Sequence, residues 1–158
     1  MGRAAEKEKA GAPVAKETDL YSWSVRQAKL LRAGRLNEID PVAIAEEIDD
    51  VGSEEFHRLE AALRVLMLHL LKWDHQAGKR SRSWSLTIYE QRKRVERRLR
   101  KSPGLKPRLD EAMDDAYEDA RLEAANETDL ALRTFPSSRP YAFAEIMERP
   151  ILWPGDEA

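Results

Sequence analysis

The feature that most constrains the fold is an apolar repeat in the middle of the chain. Large apolar side chains recur there at alternating spacings of three and four residues, at Phe56, Leu59, Leu63, Leu66, Leu70 and Trp73. This spacing places them along one side of an α-helix. The same stretch is apolar on its other sides, and a helix that is apolar nearly all round belongs in the interior of a fold. The sequence therefore predicts a central helix in an all-α protein.

Capping residues and glycines indicate where the other helices begin and end. Gly34 is placed to stop the first helix, Gly52 ends or bends the second, and Ser53 begins the central one. Asp40 and Pro41 are a cap followed by a proline at the first helical position. The predicted helices span about residues 20–33, 41–51, 53–73, 83–100 with Ser83 as its cap, and 106–126, with a short helix over 141–147.

Chain length and proline spacing predict the domain organisation. A chain of 158 residues normally forms one domain. The carboxyl end carries Pro136, Pro140, Pro150 and Pro154, which leave no room for a long helix. We therefore expect an all-α, single-domain bundle of four to five main helices with a proline-rich C-terminal arm. Residues 1–18 would be a flexible tail, 19–126 the helical bundle, and 127–158 the arm with one short helix packed on the bundle.

Composition excludes several classes of protein. The absence of cysteine excludes disulfides, thiolate catalysis and cysteine zinc sites, and is compatible with a cytoplasmic location. The longest apolar run is far short of the roughly 18 residues that a membrane span requires. The net charge is only −2. A preference for nucleic acid or an anionic membrane must therefore come from a local patch.

Six short motifs resemble a known family when they are taken in order. They are HLLKWDHQ (69–76), RSRSW (80–84), TIYEQR (87–92), SPGLKP (102–107), AYEDAR (116–121) and the TFP and PY pairs of residues 134–141. Together they resemble the bacterial helical family called domain of unknown function 29, over residues 19–153. The resemblance implies an all-helical fold and no assigned activity.

Polar side chains in the apolar helices are the weak candidates for catalysis. They are His69, Lys72 and Tyr117, and no second histidine stands three or four residues from His69. A bundle metal site needs several convergent ligands, so we predict no metal and no cofactor. The favoured interpretation is structural: a hydrogen-bonded core or boundary histidine, and a lysine whose candidate partners are Glu46, Glu47 and Asp74. We also expect a polar network between helices that joins Lys72, Gln91, Arg92, Tyr117 and Arg121.

The strongest charge feature lies in the predicted fourth helix and the connection before it. Residues 79–101 carry ten basic and two acidic side chains. The candidates for binding nucleic acid or a partner are Arg80, Arg82, Trp84, Arg94, Arg97 and Arg98. The next helix is acidic, and the two helices could compensate each other. A solvated, internally compensated face is therefore the favoured interpretation, and binding of nucleic acid or of an acidic protein partner stays open.

The function predicted from the sequence is a non-enzymatic protein-interaction or regulatory module. Its partner would be another protein or a second copy, docked on the face bearing Trp84, Tyr89 and the arginines or on the aromatic arm. Two alternatives remain open: nucleic-acid binding through the basic helix, and an enzyme or metal-binding bundle with a site near His69. The enzyme alternative requires a cleft in which His69 meets Tyr117 or Glu47.

Overall fold

The computed structural model describes residues 14–155, and every regular element in that range is helical. Five α-helices follow one another: α1 (Leu20–Arg32), α2 (Pro41–His75), α3 (Arg82–Lys101), α4 (Leu109–Thr128) and α5 (Phe143–Glu148). Short 3-10 helices lie at Ala77–Lys79, Pro103–Arg108 and Leu132–Thr134. The predicted all-α, single-domain fold class with four to five main helices is confirmed. None of the helices described is long and apolar enough to span a bilayer.

The predicted tail and arm fall partly outside the described range. Residues 1–13 and 156–158 are not described. The division into a tail over 1–18, a bundle over 19–126 and an arm over 127–158 therefore stays a prediction. The described part of the chain divides into two compact units, one that ends at residue 50 and one that begins at residue 51, and the boundary falls inside α2. Each unit is described in turn.

Helix α1 has well-defined ends in the first unit. The Asp19 carboxylate accepts a hydrogen bond from the backbone N–H of Ser22 at 2.9 Å, which caps the helix. Gly34 adopts φ 68°, and the N–H of Arg35 then donates to the carbonyl of Leu30 at 3.0 Å. This is the Schellman arrangement that a left-handed glycine permits. The predicted stop at Gly34 is confirmed.

One buried amide ties α1 to the start of α2 within the same unit. Gln27 is buried, and its Oε1 accepts a hydrogen bond from the backbone N–H of Asp40 at 2.9 Å. The Asp40 carboxylate in turn accepts from the N–H of Ala43 at 3.0 Å. Asp40 therefore caps α2, with Pro41 in the first turn as predicted. Lys16 pairs with Glu46 and Glu47 at 3.1 and 2.8 Å.

Helix α2 is continuous through the predicted boundary. It runs from Pro41 to His75 without interruption, so the prediction of a separate helix beginning at Ser53 is wrong. Gly52 lies on an exposed part of this helix and does not adopt a positive φ. Glycine inside a helix costs only about 1 kcal/mol relative to alanine, which the good helix formers that follow can offset. A glycine marks a helix end only where the backbone turns left-handed, as at Gly34.

The second unit contains the main core. Residues of α2, α3, α4 and the following segment pack together and are almost fully buried, including Leu59, Leu63, Leu66, Met67, Leu71, Ile88, Val95, Met113, Phe135, Ile146 and Ile151. Burying each large apolar side chain contributes about 1.5–3 kcal/mol. Alanines at positions 112, 116, 120 and 124 give α4 a small buried face that permits close helix packing. The seam predicted from the apolar repeat is confirmed in this core.

The predicted ends of the later helices shift by a few residues. The cap of α3 is Ser81, whose hydroxyl accepts from the N–H of Trp84 at 3.2 Å, and not Ser83 as predicted. Pro107 lies in a 3-10 helix, and α4 begins only at Leu109. It ends at Thr128, because Asp129 adopts a left-handed φ of 58°.

Candidate functional site

A pocket of about 510 Å³ is lined by side chains of α2 and α3. Five of its nine lining residues are arginines, and none of the nine is acidic. The lining residues are Arg58, Ala61, Ala62, Arg64, Val65, Gln91, Arg94, Arg97 and Arg98. The volume falls in the range of roughly 300–1,000 Å³ that ligand sites in proteins occupy. We call this set the arginine pocket.

Helical spacing brings the lining residues onto facing sides. On α2, Arg58, Ala61, Ala62 and Val65 stand at i, i+3, i+4 and i+7, and residues three and four apart share one face of a helix. On α3, positions 91, 94 and 98 follow the same rule. The two alanines leave space that larger side chains would fill. The pocket therefore has a small apolar wall beneath long cationic side chains.

Glutamates at the margin of the pocket hold most of its arginines. Arg94 contacts Glu90 at 2.6 Å within α3, and Arg64 pairs with Glu123 of α4. These glutamates do not line the pocket. Arg97 is exposed and has no ion pair among the residues that the structure describes. The pocket is thus cationic inside and neutralised only at its margin.

Glu55 organises one end of the pocket. Its carboxylate meets Arg58 at 3.1 Å and Arg98 at 3.6 Å, and it also contacts Lys101 at 3.6 Å and accepts from the Ser102 hydroxyl at 3.2 Å. Desolvation opposes ionisation here, but the Ser102 hydrogen bond and the three cations together hold the pKa of Glu55 below its usual value. Glu55 is therefore a fixed anion that positions guanidinium groups from two helices.

Three of the six predicted binding residues meet in this pocket. They are Arg94, Arg97 and Arg98. The sequence prediction missed Arg58 and Arg64 because it considered only the basic stretch 79–101. The signal that could have found Arg58 is its spacing to the alanines at 61 and 62 on the helix predicted to be central.

The other three predicted binding residues lie elsewhere. The Nε of Arg80 donates to the carbonyl of Trp73 at 2.9 Å, and its guanidinium lies 4.9 Å from the centroid of the Trp73 ring. Trp84 is partly buried, with the Lys72 ammonium 4.7 Å from its ring centroid. Arg82 is exposed at the start of α3. Trp84 therefore offers less ring surface for stacking a base than the sequence suggested.

The weak catalytic candidates are engaged in separate contacts. The Nδ1 of His69 lies 2.9 Å from the carbonyl of Val65, and the Tyr117 hydroxyl donates to the carbonyl of Pro136 at 2.7 Å. Desolvation lowers the pKa of His69, which keeps the ring neutral near pH 7. Lys72 pairs with Glu127 at 2.5 Å, so the predicted pairing with Glu46, Glu47 or Asp74 is wrong. Glu127 lies beyond the helix pattern that prediction considered.

The predicted polar network of Lys72, Gln91, Arg92, Tyr117 and Arg121 is also wrong. Three of its members instead donate to main-chain carbonyls of residues 129–155, which we call the C-terminal segment. Arg121 donates to Phe135 and Leu132 at 3.1 and 3.2 Å, Tyr117 to Pro136, and Arg92 to Ile146 and Arg149 at 2.7 Å each. Helical periodicity cannot reveal such contacts, because their acceptors are backbone atoms of an irregular segment.

Arg92 performs a specific task at the end of α5. The carbonyl of Ile146 would normally accept from the N–H four residues later, but that residue is Pro150, which has no N–H. Arg92 supplies the missing donor and also binds the carbonyl of Arg149. A cationic side chain that binds the last carbonyls of a helix acts as its C-cap.

Side-chain contacts also connect the end of α2 to the C-terminal segment. Asp74 accepts a hydrogen bond from the Tyr141 hydroxyl at 2.8 Å and contacts Arg149 at 2.8 Å. Burial of the ring and the hydrogen bond to Asp74 raise the pKa of Tyr141 far above its usual value. Acidic residues of α4 also reach this segment, since Asp114 contacts Arg139 at 2.7 Å. Part of the acidic helix is thus neutralised by a cation outside α3.

The described residues contain no group of three or more histidine, aspartate or glutamate side chains arranged to hold a metal ion.

Comparison with known proteins identifies the family. The family model described as domain of unknown function DUF29 matches residues 16–152. The chain belongs to the DUF29 family. No curated protein and no solved structure matches it. Most of the side chains that bind the C-terminal segment lie in the motifs quoted above, namely Asp74, Arg92, Tyr117 and Arg121.

Proposed function

We propose that this DUF29 chain is a non-enzymatic protein-interaction module whose arginine pocket binds an acidic segment of a partner protein. The observation that carries the proposal is the convergence of five arginines from two helices on one pocket without an acidic side chain in its lining. Arginine is enriched at protein interfaces and binds carboxylates through two parallel hydrogen bonds. A partner segment rich in glutamate or aspartate supplies the matching groups.

The glutamates that pair with the pocket arginines can be replaced by carboxylates of a bound segment. Arg94 and Glu90 are both more than half exposed, and pairs of this kind contribute under about 1 kcal/mol. A guanidinium has five N–H donors, whereas Arg94 contacts Glu90 through one nitrogen. An incoming carboxylate can therefore bind the remaining donors or displace the glutamate at little cost. Ala61, Ala62 and Val65 offer apolar contact to the backbone and stems of the segment.

Fluorescence anisotropy tests the proposal. The probe is a labelled peptide of alternating glutamate and alanine, with glutamine in place of glutamate as the control peptide. We expect the acidic peptide to bind and the glutamine peptide not to bind. The double variant Arg94→Gln/Arg97→Gln should weaken binding at least about tenfold. The matched variant Lys93→Gln/Arg133→Gln changes two exposed cations outside the pocket and should bind as the wild type does. Equal binding of both peptides, or no effect of the pocket variant, contradicts the proposal.

Nucleic-acid binding is the alternative that uses the same cations. The Lys72 ammonium lies over the Trp84 ring, so the basic helix offers less aromatic surface on which a base could stack. This favours an acidic protein segment over nucleic acid as the partner. The same assay with a labelled mixed-sequence single strand separates the two functions. Strand affinity that exceeds that of the acidic peptide and falls steeply with salt would favour nucleic acid.

The enzyme alternative has less support than the interaction module. Its requirement was a cleft in which His69 meets Tyr117 or Glu47, and the hydrogen bonds of His69 and Tyr117 go to the main-chain carbonyls of Val65 and Pro136. Neither ring donates to a group that could act on a substrate.

The absence of cysteine supports a cytoplasmic location as part of the proposal.

A second copy of the chain is the other partner that the sequence left open. It is supported by large apolar side chains that stay exposed in the first unit, among them Tyr21, Val42 and Ile48 at 78, 69 and 66%. Light scattering after size exclusion measures this directly. A dimer that Ile48→Glu converts to a monomer would support self-association, and a monomer at all concentrations would refute it.

A further inference from the structure

We infer that the arginine pocket is selective for a phosphorylated side chain, a phosphoserine or phosphothreonine within the acidic segment. The inference rests on the proposed function, because it names the group that the segment presents to the pocket. It is argued from the charge of the lining, from the geometry of its donors and from the role of Glu55.

The lining residues are all neutral or cationic, and glutamates outside the lining pair with four of the five arginines. Five arginines line the pocket, and no carboxylate lies among its nine lining residues. A carboxylate carries one negative charge, whereas a phosphate monoester carries about 1.5–2 at pH 7 and offers three strong acceptor oxygens. The dianion therefore gains more from the same set of cations.

The donors converge from two directions. Arg58 and Arg64 belong to α2, and Arg94, Arg97 and Arg98 belong to α3. A planar carboxylate accepts well from one guanidinium in its plane, but a tetrahedral phosphate can accept forks from several directions at once. Guanidinium groups on two helices that line one volume match the tetrahedral group.

Glu55 is a single carboxylate that already contacts arginines of the pocket. Its carboxylate accepts a hydrogen bond from Arg58 and lies 3.6 Å from Arg98 at one end of the pocket, and its side chain is only 16% exposed. That end is already neutralised by the protein itself. Arg97 is exposed, lines the same pocket and has no ion pair among the described residues. Arg97 is therefore the anchor for the phosphate, and Arg94 and Arg64 line the same pocket.

The size and walls of the pocket favour a segment over a free phosphate. The pocket of about 510 Å³ is much larger than one phosphate group needs, and Ala61, Ala62 and Val65 form an apolar wall beside the cations. A free phosphate would leave that wall in contact with water. A peptide that carries the phosphate covers it.

Three labelled peptides of one acidic sequence test the inference. They carry phosphoserine, glutamate or serine at the central position, and binding is measured by anisotropy at about pH 7 and about pH 5. We expect the phosphoserine peptide to bind at least about tenfold more tightly than the glutamate peptide at the higher pH. The advantage should shrink at the lower pH, because the second phosphate pKa is about 6. Arg97→Gln should weaken binding of the phosphoserine peptide more than binding of the glutamate peptide, so that most of the advantage is lost.

Competition experiments identify the source of the phosphate. Inorganic phosphate, free phosphoserine and a mixed-sequence single strand are each added to the bound phosphopeptide. We expect displacement only at concentrations far above that of unlabelled phosphopeptide. A free phosphate or a strand that competes as well as the phosphopeptide overturns the inference. Equal affinity for the glutamate and phosphoserine peptides also overturns it while the proposed function stands, and binding of neither peptide overturns both.

Matched variants separate geometry from charge. Arg97→Lys keeps the positive charge and loses the planar fork, so we expect it to retain only part of the phosphoserine advantage. Arg133→Gln removes an exposed cation outside the pocket and should leave all three affinities unchanged. Circular dichroism of each variant verifies the fold. A loss of the advantage that is as large in Arg133→Gln as in Arg97→Gln contradicts the assignment of Arg97.

Discussion

Replacing Arg92 by methionine tests the claim that the C-terminal segment is held by side chains that bind its backbone. The Arg92 side chain is 7% exposed and donates to the carbonyls of Ile146 and Arg149 at 2.7 Å each. Methionine keeps most of the apolar stem and removes both donors. The Ile146 carbonyl then has no replacement, because Pro150 carries no N–H.

The expected loss follows from the two hydrogen bonds. A hydrogen bond to a charged group contributes about 1.5–3 kcal/mol. The lower end applies here, since desolvation already lowers the pKa of Arg92, which means that burying the cation is itself costly. We therefore expect the free energy of unfolding to fall by about 3 kcal/mol. For a chain of this length that corresponds to a decrease in Tm of about 6–12 °C.

Thermal and urea unfolding followed by circular dichroism measure the global effect, and hydrogen exchange locates it. We expect amides of α5 and the residues after it to lose protection, because the cap of that helix is gone. Lys93→Met, at the next and exposed position of α3, should change Tm by no more than about 2 °C. A loss below about 1 kcal/mol in Arg92→Met, or unchanged exchange in α5, would refute the reasoning.

Three further substitutions follow from buried polar groups. The raised pKa of Tyr141 means that the folded state keeps the phenol proton, so its contribution to stability is present below about pH 10 and is lost as the pH rises above that value. Tyr141→Phe should lower the free energy of unfolding at pH 7 by about 1.5–3 kcal/mol and flatten the alkaline decline. The lowered pKa of His69 means that the unfolded state binds a proton at a higher pH than the folded state, so stability falls as the pH drops below about 6.5. His69→Gln should flatten this acid decline, as measured by urea unfolding at several pH values. The buried Ser85 hydroxyl has no hydrogen-bond partner among the described residues, and Ser85→Ala should raise the free energy of unfolding by about 1 kcal/mol.

Matched variants at exposed positions serve as controls for these three. They are Tyr89→Phe, His57→Gln and Ser83→Ala. Each should leave stability and its pH dependence nearly unchanged. Tyr117 also has a pKa raised by desolvation, so some alkaline decline should persist in Tyr141→Phe. A control that changes as much as its buried counterpart would show that the effect does not come from burial.

Local patterns were sufficient to predict the core and most of the helix positions. The repeat from Phe56 to Trp73 has the period of a helix, and burial of Leu59, Leu63 and Leu66 follows directly from it. The cap at Asp40 and the stop at Gly34 are signals carried by one to three residues. The boundary at Gly52 was wrong because a glycine marks a helix end only when its backbone leaves the helical region, which the residue type alone does not determine.

The site could be predicted only in part because it depends on contacts between distant residues. Arg94, Arg97 and Arg98 were visible as a basic stretch, but their meeting with Arg58 and Arg64 depends on how α2 and α3 pack. The partner of Lys72 is 55 residues away, and the acceptors of Arg92 are 54 and 57 residues away. Periodicity describes one helix at a time and cannot assign such pairs.

Side-chain NMR of the arginines tests the central claim most directly. The Nε–H signals are recorded while the acidic peptide is titrated into the protein. Binding in the arginine pocket predicts saturable shifts at Arg94 and Arg97 and unchanged signals at Arg133, which lies outside the pocket. Shifts of equal size at Arg133, or no shift at either pocket arginine while the peptide binds, would contradict the account.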